Sequence, residues 1–394
     1  MSEAKVPRVL AVVCDSWGVG DAPDADAYGD AEANTLGNTA RAVGGLAAPA
    51  LGRLGLGLLT PIDGVDPGAI PGSAHGRATE RSVGKDTTTG HWEMMGIQLD
   101  DPFPLYPHGF PREVMEPFEA AVGRAALGNE PASGTEIIAR LGEEHLATGR
   151  PIVYTSGDSV FQIATHKDKV PLPTLYEWCR VARRLLTGPH RVGRVIARPF
   201  EGHPGSFLRS PERRDFSVPP PEPTVLDHLT GAGVAVYAVG KIQDIFCGQG
   251  ITEARYSDSN EHGVDLSLRY LVRPGPAFVF TNLVDFDSKY GHRNDAAGYG
   301  RAIEAFDRRL PELIDALDGG VLLITGDHGC DPTTPGSTDH TRERTPLLAA
   351  GLEGGPFDIG TRDSFGDLGQ TAADLLGVEV EGLLGRSFAD RLGW

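Results

Sequence analysis

The sequence has no apolar run of membrane-spanning length, no internal repeat and no low-complexity segment. Cysteine is scarce: Cys14, Cys179, Cys247 and Cys330 are scattered, with no CxxC pair and no spacing suited to a disulfide framework. Basic residues are also in deficit, 36 Lys and Arg against 54 Asp and Glu, for a net charge of −18. Nucleic acid and anionic membrane surfaces need a basic face, so neither is expected as a partner. The opening strand-like run, RVLAVVCD, comes too soon and turns acidic too early for a signal peptide. The expectation is a cytoplasmic protein, monomeric, acting on small molecules. An anionic substrate would be repelled unless cations and local Arg or Lys reverse the field at the site.

What is present is an alternation of strand and helix signals. VLAVV, FVFTNLV and VLLI are branched-aliphatic runs without polar alternation, the pattern of parallel strands covered on both faces. They predict strands over 8–15, 277–287 and 320–327, each ending in Asp. Helical spacing covers 296–317, where Pro311 predicts a break or a second start, and 367–376. Strand–helix alternation predicts a doubly wound α/β core, with ligands gathered beyond the carboxyl ends of the strands. At 394 residues the chain exceeds the usual size of one core. DPFPLYPHGFP and SVPPPEP are proline-dense connections that bracket a middle segment of different character. The predicted organisation is a discontinuous core, 1–100 and 219–394, with a smaller α+β domain inserted at 101–218.

The chemistry concentrates at the strand ends. Asp15, Asp287, His292, Asp327, His328 and His340 all lie at the end of a predicted strand or in the loop beyond one. A single Asp-His pair is weak, since a strand-end Asp is often a helix cap and a His is often packed. Three such groups together predict a metal centre. Carboxylate and imidazole ligands mixed in this way favour Mn2+, Zn2+ or Fe2+ over an all-oxygen Mg2+ site. Six ligands and a hydroxyl suit two ions about 3.5–4 Å apart, an arrangement for phosphoryl transfer. Asp285 and Asp339 compete for ligand roles; in an extended strand Asp285 would share a face with Asp287 and support it by hydrogen bonding. Cys14 and Cys330 read as small strand-end residues rather than thiol ligands.

GKDTTTGHWE, residues 84–93, supplies the hydroxyl. Its glycines allow close backbone approach and successive N–H groups can form an anion nest. Thr87, Thr88 and Thr89 are all candidate nucleophiles, and two of the three are expected to be helix-capping residues. His91, Trp92 and Glu93 read as support beneath the loop.

DSWGVGDAPDA, GKDTTTGHWE, YTSGDSVFQIA, GRVIARPF, VGKIQDIF, DFDSKYGHRND, GDHGCDPTTPGSTDHTRE and TPLL together resemble the phosphopentomutases of the alkaline phosphatase superfamily. The resemblance spans nearly the whole chain. It implies an alkaline phosphatase-like core with an inserted cap, and a threonine at position 87 that is phosphorylated and bridges two Mn2+ ions, with Mg2+, Zn2+ or Co2+ as alternatives. One ion is then held by Asp15, Asp327 and His328, the other by Asp287, His292 and His340. The implied reaction interconverts ribose 1-phosphate and ribose 5-phosphate, and their 2-deoxy equivalents, through a pentose 1,5-bisphosphate, with a bisphosphorylated sugar as activator. Ser156, Asp158, Arg194 and Lys241 match substrate-contacting positions, with Ser156 and Asp158 on sugar hydroxyls and Arg194 and Lys241 on the distal phosphate. Arg198 and Arg209 join them because a phosphosugar needs cationic forks. Thr88 stands where many members carry Met, and Ser337 lengthens the loop before His340. The competing readings are a mutase for another sugar phosphate, a metal-dependent phosphatase on the same fold, and a non-catalytic metal-binding relative.

Overall fold

A computed structural model of the chain describes residues 7–156 and 159–393. These fall into two compact units, Met1–Asp101 with Pro220–Trp394, and Pro102–Pro219. Among the described residues no helix is long and apolar enough to cross a membrane.

The chain begins with strands β1 (Arg8–Cys14) and β2 (Ser73–Ala78) of the larger unit. The smaller unit contributes β3 (Leu127–Pro131), β4 (Ile152–Thr155), β5 (Val160–His166), β6 (Arg194–Glu201), β7 (Leu208–Arg209) and β8 (Arg214–Ser217). The larger unit resumes with β9 (Ala235–Val239), β10 (Glu253–Arg255), β11 (Ala277–Leu283), β12 (Val321–Thr325), β13 (Thr345–Ala350) and β14 (Phe357–Arg362).

The larger unit is built on an eight-stranded sheet, ordered β10-β9-β11-β1-β12-β13-β2-β14. β13 is antiparallel to both its neighbours, and every other pairing in the sheet is parallel. The sheet is thus mixed rather than wholly parallel, because TPLLAA returns alongside β12 without a helical crossover. β1 is the central strand of the site: Cys14 pairs with Leu283 of β11 and Val13 with Thr325 of β12, so the three carboxyl ends lie side by side. Alternation sends Leu10, Val12 and Cys14 into a core shared with Val279, Leu322 and Ile324.

Two local expectations change. The strand predicted to reach Asp287 stops at Leu283, and Asp287 lies in a wide helical turn, Phe286–Tyr290. Asp285 therefore shares no strand face with Asp287; it precedes the turn, accepts from the Asn260 amide at 3.0 Å and pairs with Lys289 at 3.0 Å. The helix Ala296–Asp315 runs through Pro311 without a break. Ile303, Phe306, Leu310 and Leu313 are buried on both sides of the proline, and this packing outweighs the one backbone hydrogen bond that proline removes.

The smaller unit has its own sheet, β3-β4-β5-β6-β7, with β8 also paired to β6. Val153, Phe161 and Ile163 face one hydrophobic cluster with Phe118 and Trp178; Ile152, Tyr154 and Ala164 face a second with Ile137 and Phe200. The period-two alternation of IVYT thus feeds two cores, which is an α+β arrangement.

Candidate metal centre and nucleophile loop

Asp15 follows β1 directly and Asp327 follows β12 by two residues, and both are wholly buried. Asp327 Oδ1 accepts from the Ser16 amide at 3.0 Å, which ties the two strand ends together. His328 Nε2 lies 3.3 Å from Asp327 Oδ2 and 3.6 Å from Asp15 Oδ1. Beside this trio, Asp287 stands 3.2 Å from His292 Nε2 and 3.4 Å from His340 Nε2, and those two nitrogens are 3.2 Å apart. The rings of His328 and His340 stack at 3.8 Å, joining the two groups into one cluster.

This donor set fits divalent cations on two counts. First, Asp15 Oδ1, Asp287 Oδ1 and Asp327 Oδ2 are buried with no hydrogen-bond partner among the described residues. Buried carboxylates are otherwise paired or bound to metal. Second, all three histidines turn Nδ1 to a backbone carbonyl: His292 to Thr338 at 2.7 Å, His328 to Gly329 at 3.0 Å and His340 to Lys85 at 2.8 Å. An Nδ1–H donated to a carbonyl leaves the Nε2 lone pair facing the cluster, as a metal ligand requires. Asp15, Asp327 and His328 form one three-donor group, and Asp287 with His328 and His340 another. Cys330 also lies within reach of Asp287 and His292. Burial and the surrounding carboxylates hold its thiol proton far more tightly than usual, so it is a poor donor to a hard ion.

Burial works against charge on His328, but Asp327, Asp15 and Asp287 prevail and push its pKa up to about 10. The hydrogen bond to Asp287 raises His292 against its burial. Desolvation and the Asp327 charge raise Asp15.

The nucleophile loop reaches this cluster through the helix Thr87–Met94. Thr87 Oγ1 lies 3.1 Å from His328 Nε2 and accepts from Lys241 Nζ at 3.2 Å. Asp86 caps the helix, accepting from the Thr88 and Thr89 amides and from the Thr89 hydroxyl. Of the three threonines, Thr87 presents its hydroxyl to the cluster and Thr89 spends its own on the cap. The helix approaches β12 so closely that a Cβ on Gly90 would fall 2.1 Å from the Asp327 carbonyl, so glycine is required there. His91 is buried between Asp327 Oδ2 at 3.3 Å and the Thr87 carbonyl at 2.9 Å, with Asn282 at its far nitrogen. Glu93 accepts from the Arg81 and Ser82 amides and from Ser364 and Phe365.

Lys241, expected on the distal phosphate, has its Nζ 2.6 Å from Asp15 Oδ2 and 3.2 Å from Thr87 Oγ1. Ser156, Arg194, Arg198 and Arg209 all belong to the smaller unit. Arg194 pairs with Asp215 at 3.6 Å, Arg198 donates to Gln162 at 3.0 Å and Arg209 donates to Thr135 at 2.7 Å. Burial and the neighbouring Arg213 charge loosen the proton of Arg198. Ser156 follows β4 and is half-buried; Asp158 lies outside the described residues.

Sequence reasoning passed over Arg342 and Glu343, two and three residues beyond His340. Both are buried. Glu343 accepts from the Thr35 and Gly20 amides and from the hydroxyls of Thr35 and Thr341. A run reading TRE resembles a solvated loop, and only its adjacency to a ligand histidine hinted otherwise.

A model of the metalloenzyme superfamily matches residues 7–380. The phosphopentomutase of Anaeromyxobacter dehalogenans is 57% identical over 383 residues, 97% of this chain and 97% of its own. Those of Clostridium novyi and Kosmotoga olearia are each 55% identical over 376 residues, covering 95% and 94% of this chain and 96% of each relative. With an α/β core, a cluster of carboxylates and imidazoles beyond three parallel strands, and identity of this extent, the chain belongs to the phosphopentomutase family of the metalloenzyme superfamily.

Proposed function

We propose that the chain is a metal-dependent mutase that interconverts ribose 1-phosphate and ribose 5-phosphate, and the 2-deoxyribose equivalents, through a phosphorylated Thr87. The observation that carries the nucleophile assignment is the position of Thr87 Oγ1, between His328 Nε2 and Lys241 Nζ at the ligand cluster. Asp15, Asp327 and His328 would hold one divalent cation and Asp287, His292 and His340 the other, with Mn2+ the proposed ion. When bound, the cations would supply charge stabilisation for the phosphoryl oxygens and favour the alkoxide form of the threonine.

Phosphothreonine donates its phosphoryl group to the C1 hydroxyl of ribose 5-phosphate. The Oγ1–P bond breaks, the new O–P bond forms, and the proton displaced from the sugar hydroxyl returns to Oγ1. The resulting 1,5-bisphosphate reorients and gives its 5-phosphoryl group back to Thr87, releasing ribose 1-phosphate. A trace of bisphosphorylated sugar starts the cycle by phosphorylating a bare Thr87. Lys241 neutralises charge on the group attached to Thr87 and favours the ionised form of Asp15 against its burial; burial opposes its own charge, but Asp15, Asp287 and Asp327 raise its pKa. Ser156 and Asp158 bind sugar hydroxyls, and Arg194, Arg198 and Arg209 bind the distal phosphate, in the role of a cap that excludes water from the intermediate. The setting is cytoplasmic and the partner a pentose phosphate.

The test is interconversion of the two ribose phosphates by the Mn2+-loaded protein with a bisphosphate primer. Intact-mass measurement should find one phosphate, on Thr87. Hydrolysis of the monophosphates without interconversion would assign a phosphatase instead.

A further inference from the structure

We infer that Arg342 is the positioning residue for the nucleophile: it holds the loop that delivers Thr87, although among the described residues its guanidinium hydrogen-bonds to neither Thr87 nor any proposed metal-ligand side chain. This rests on the reading of Thr87 as the phosphoryl carrier.

Residues 79–86 connect β2 to the helix at Thr87 without strand or helix structure of their own. Nothing intrinsic to such a segment fixes where Oγ1 arrives, and a displacement of about 1 Å at a reacting group can cost on the order of 100-fold in rate. Glu93 holds the amides of Arg81 and Ser82, and Arg342 constrains the carbonyl side of the loop. Its NH1 donates to the Ser82 carbonyl at 2.9 Å, the Gly84 carbonyl at 2.7 Å and Glu80 Oε2 at 2.5 Å. Its NH2 donates to the Glu80 carbonyl at 2.9 Å and to Asp24 at 3.0 Å, and its Nε to Asp24 at 3.1 Å. Three carbonyls of one loop therefore converge on one buried guanidinium. Only a planar fork with several N–H groups reaches all of them; an ammonium is a single point on a flexible stem.

The clamp has a second jaw. Tyr28 lies under the guanidinium at 5.1 Å, and its hydroxyl accepts from the Gly84 amide at 3.1 Å. Asp30 accepts from the Arg342 amide at 2.8 Å and from Lys85 Nζ at 3.0 Å. Two residues before Arg342, His340 donates from Nδ1 to the Lys85 carbonyl. One short segment, 340–342, thus holds a metal-ligand imidazole and grips the loop at residues 80, 82, 84 and 85.

Arg342→Lys and Tyr28→Phe in the full-length, Mn2+-loaded protein test this, with Thr87→Ala as control. Five quantities are read: kcat and KM for ribose phosphate interconversion, the single-turnover rate at which ribose 1,5-bisphosphate phosphorylates Thr87, bound metal, and hydrogen exchange over 79–86. Arg342→Lys should lower kcat and the phosphorylation rate together, by about 100-fold, with KM within about threefold, bound metal unchanged and faster exchange confined to 79–86. Tyr28→Phe, which removes one hydroxyl and keeps the ring, should move the same quantities in the same direction by a smaller factor, and it serves if Arg342→Lys fails to fold. Wild-type phosphorylation rates in a folded Arg342→Lys and in Tyr28→Phe would overturn the inference, as would a loss explained wholly by lost metal. Interconversion by Thr87→Ala would instead overturn the nucleophile assignment.

Discussion

Lys241 donates from Nζ to Thr87 Oγ1 across 3.2 Å, and the same nitrogen lies 2.6 Å from Asp15. One half-buried ammonium thus joins a hydroxyl to a carboxylate at the end of the central strand. Replacing it with Met keeps the stem and removes the charge. Lys241→Met should lower kcat by about 100- to 1000-fold, the scale of losing one preorganised electrostatic partner. Steady-state kinetics at saturating ribose phosphate decide it, and retention of more than a tenth of wild-type kcat would remove Lys241 from the site.

The three adjacent threonines should separate cleanly. Thr87→Ala should abolish interconversion and the added phosphate mass. Thr88→Ala should be near wild type, since Thr88 joins the cap through its backbone amide, which the substitution keeps. Thr89→Ala loses a hydroxyl donor to the capping Asp86 and should lower stability by about 0.5–2 kcal/mol with activity largely kept. Thermal melts and phosphate incorporation measured side by side give the ordering.

The clustering of the carboxylates was legible because a run of branched aliphatics that ends in Asp places a carboxylate at the rim of a buried sheet, where a partner of opposite charge must meet it. Asp15 and Asp327 were found this way. Asp287 was found by the same signal but for a partly wrong reason: FVFTNLV continues into VDF with no break in hydrophobicity, so the sequence hides the point where β11 ends and the wide turn begins. β13 and β2 were not foreseen as members of the core sheet. SAHGRA carries too few branched residues to read as a strand, and its place is set by pairing with β13 and β14. Arg342, Glu80 and Glu343 were invisible for a related reason. A charge looks solvated in sequence, and only the folded chain brings a buried partner to it.

Metal binding should release protons. His328 is pushed up to about 10, so in the chelated protein at neutral pH this imidazole carries a proton that a cation must displace, and His292 is shifted in the same direction. Affinity should therefore rise with pH through the neutral range. Calorimetric titration with Mn2+ in two buffers of different ionisation enthalpy measures the number released. Zero protons released at pH 7 would contradict the protonated ligand cluster.

Glu343 gives the stability curve a slope of its own. Burial raises its pKa to about 7 from the ordinary 4.5, against the pull of the Thr35 and Thr341 hydrogen bonds. The folded protein then binds the proton more tightly than the unfolded chain. Its contribution to stability is fully present below pH 4.5 and declines as pH rises to 7, by about 3 kcal/mol. Glu343→Gln can keep the geometry, its oxygen toward the Thr35 and Gly20 amides and its NH2 toward the two hydroxyls. Urea midpoints for both proteins between about pH 4.5 and 7.5 should diverge, with the variant losing less stability as pH rises. Parallel curves would show that Glu343 does not change charge in that window.

The strand order also dictates a sequence of events during synthesis. β1 is paired to β11 and β12, and β2 to β13 and β14. Among the described residues, neither strand made before Asp101 has a sheet neighbour in that stretch. The segment Pro102–Pro219, by contrast, draws all its strand partners from itself. A ribosome therefore releases an N-terminal segment that must wait, then a unit able to close its own sheet, and only afterwards the residues that give β1 its partners. Through that interval the core around Leu10, Val12 and Cys14 lacks Val279, Leu322 and Ile324. Such long-range pairing is slow and exposes aggregation-prone surface, so an early stop before β11 leaves Asp15 at the end of a strand that has neither of its sheet neighbours.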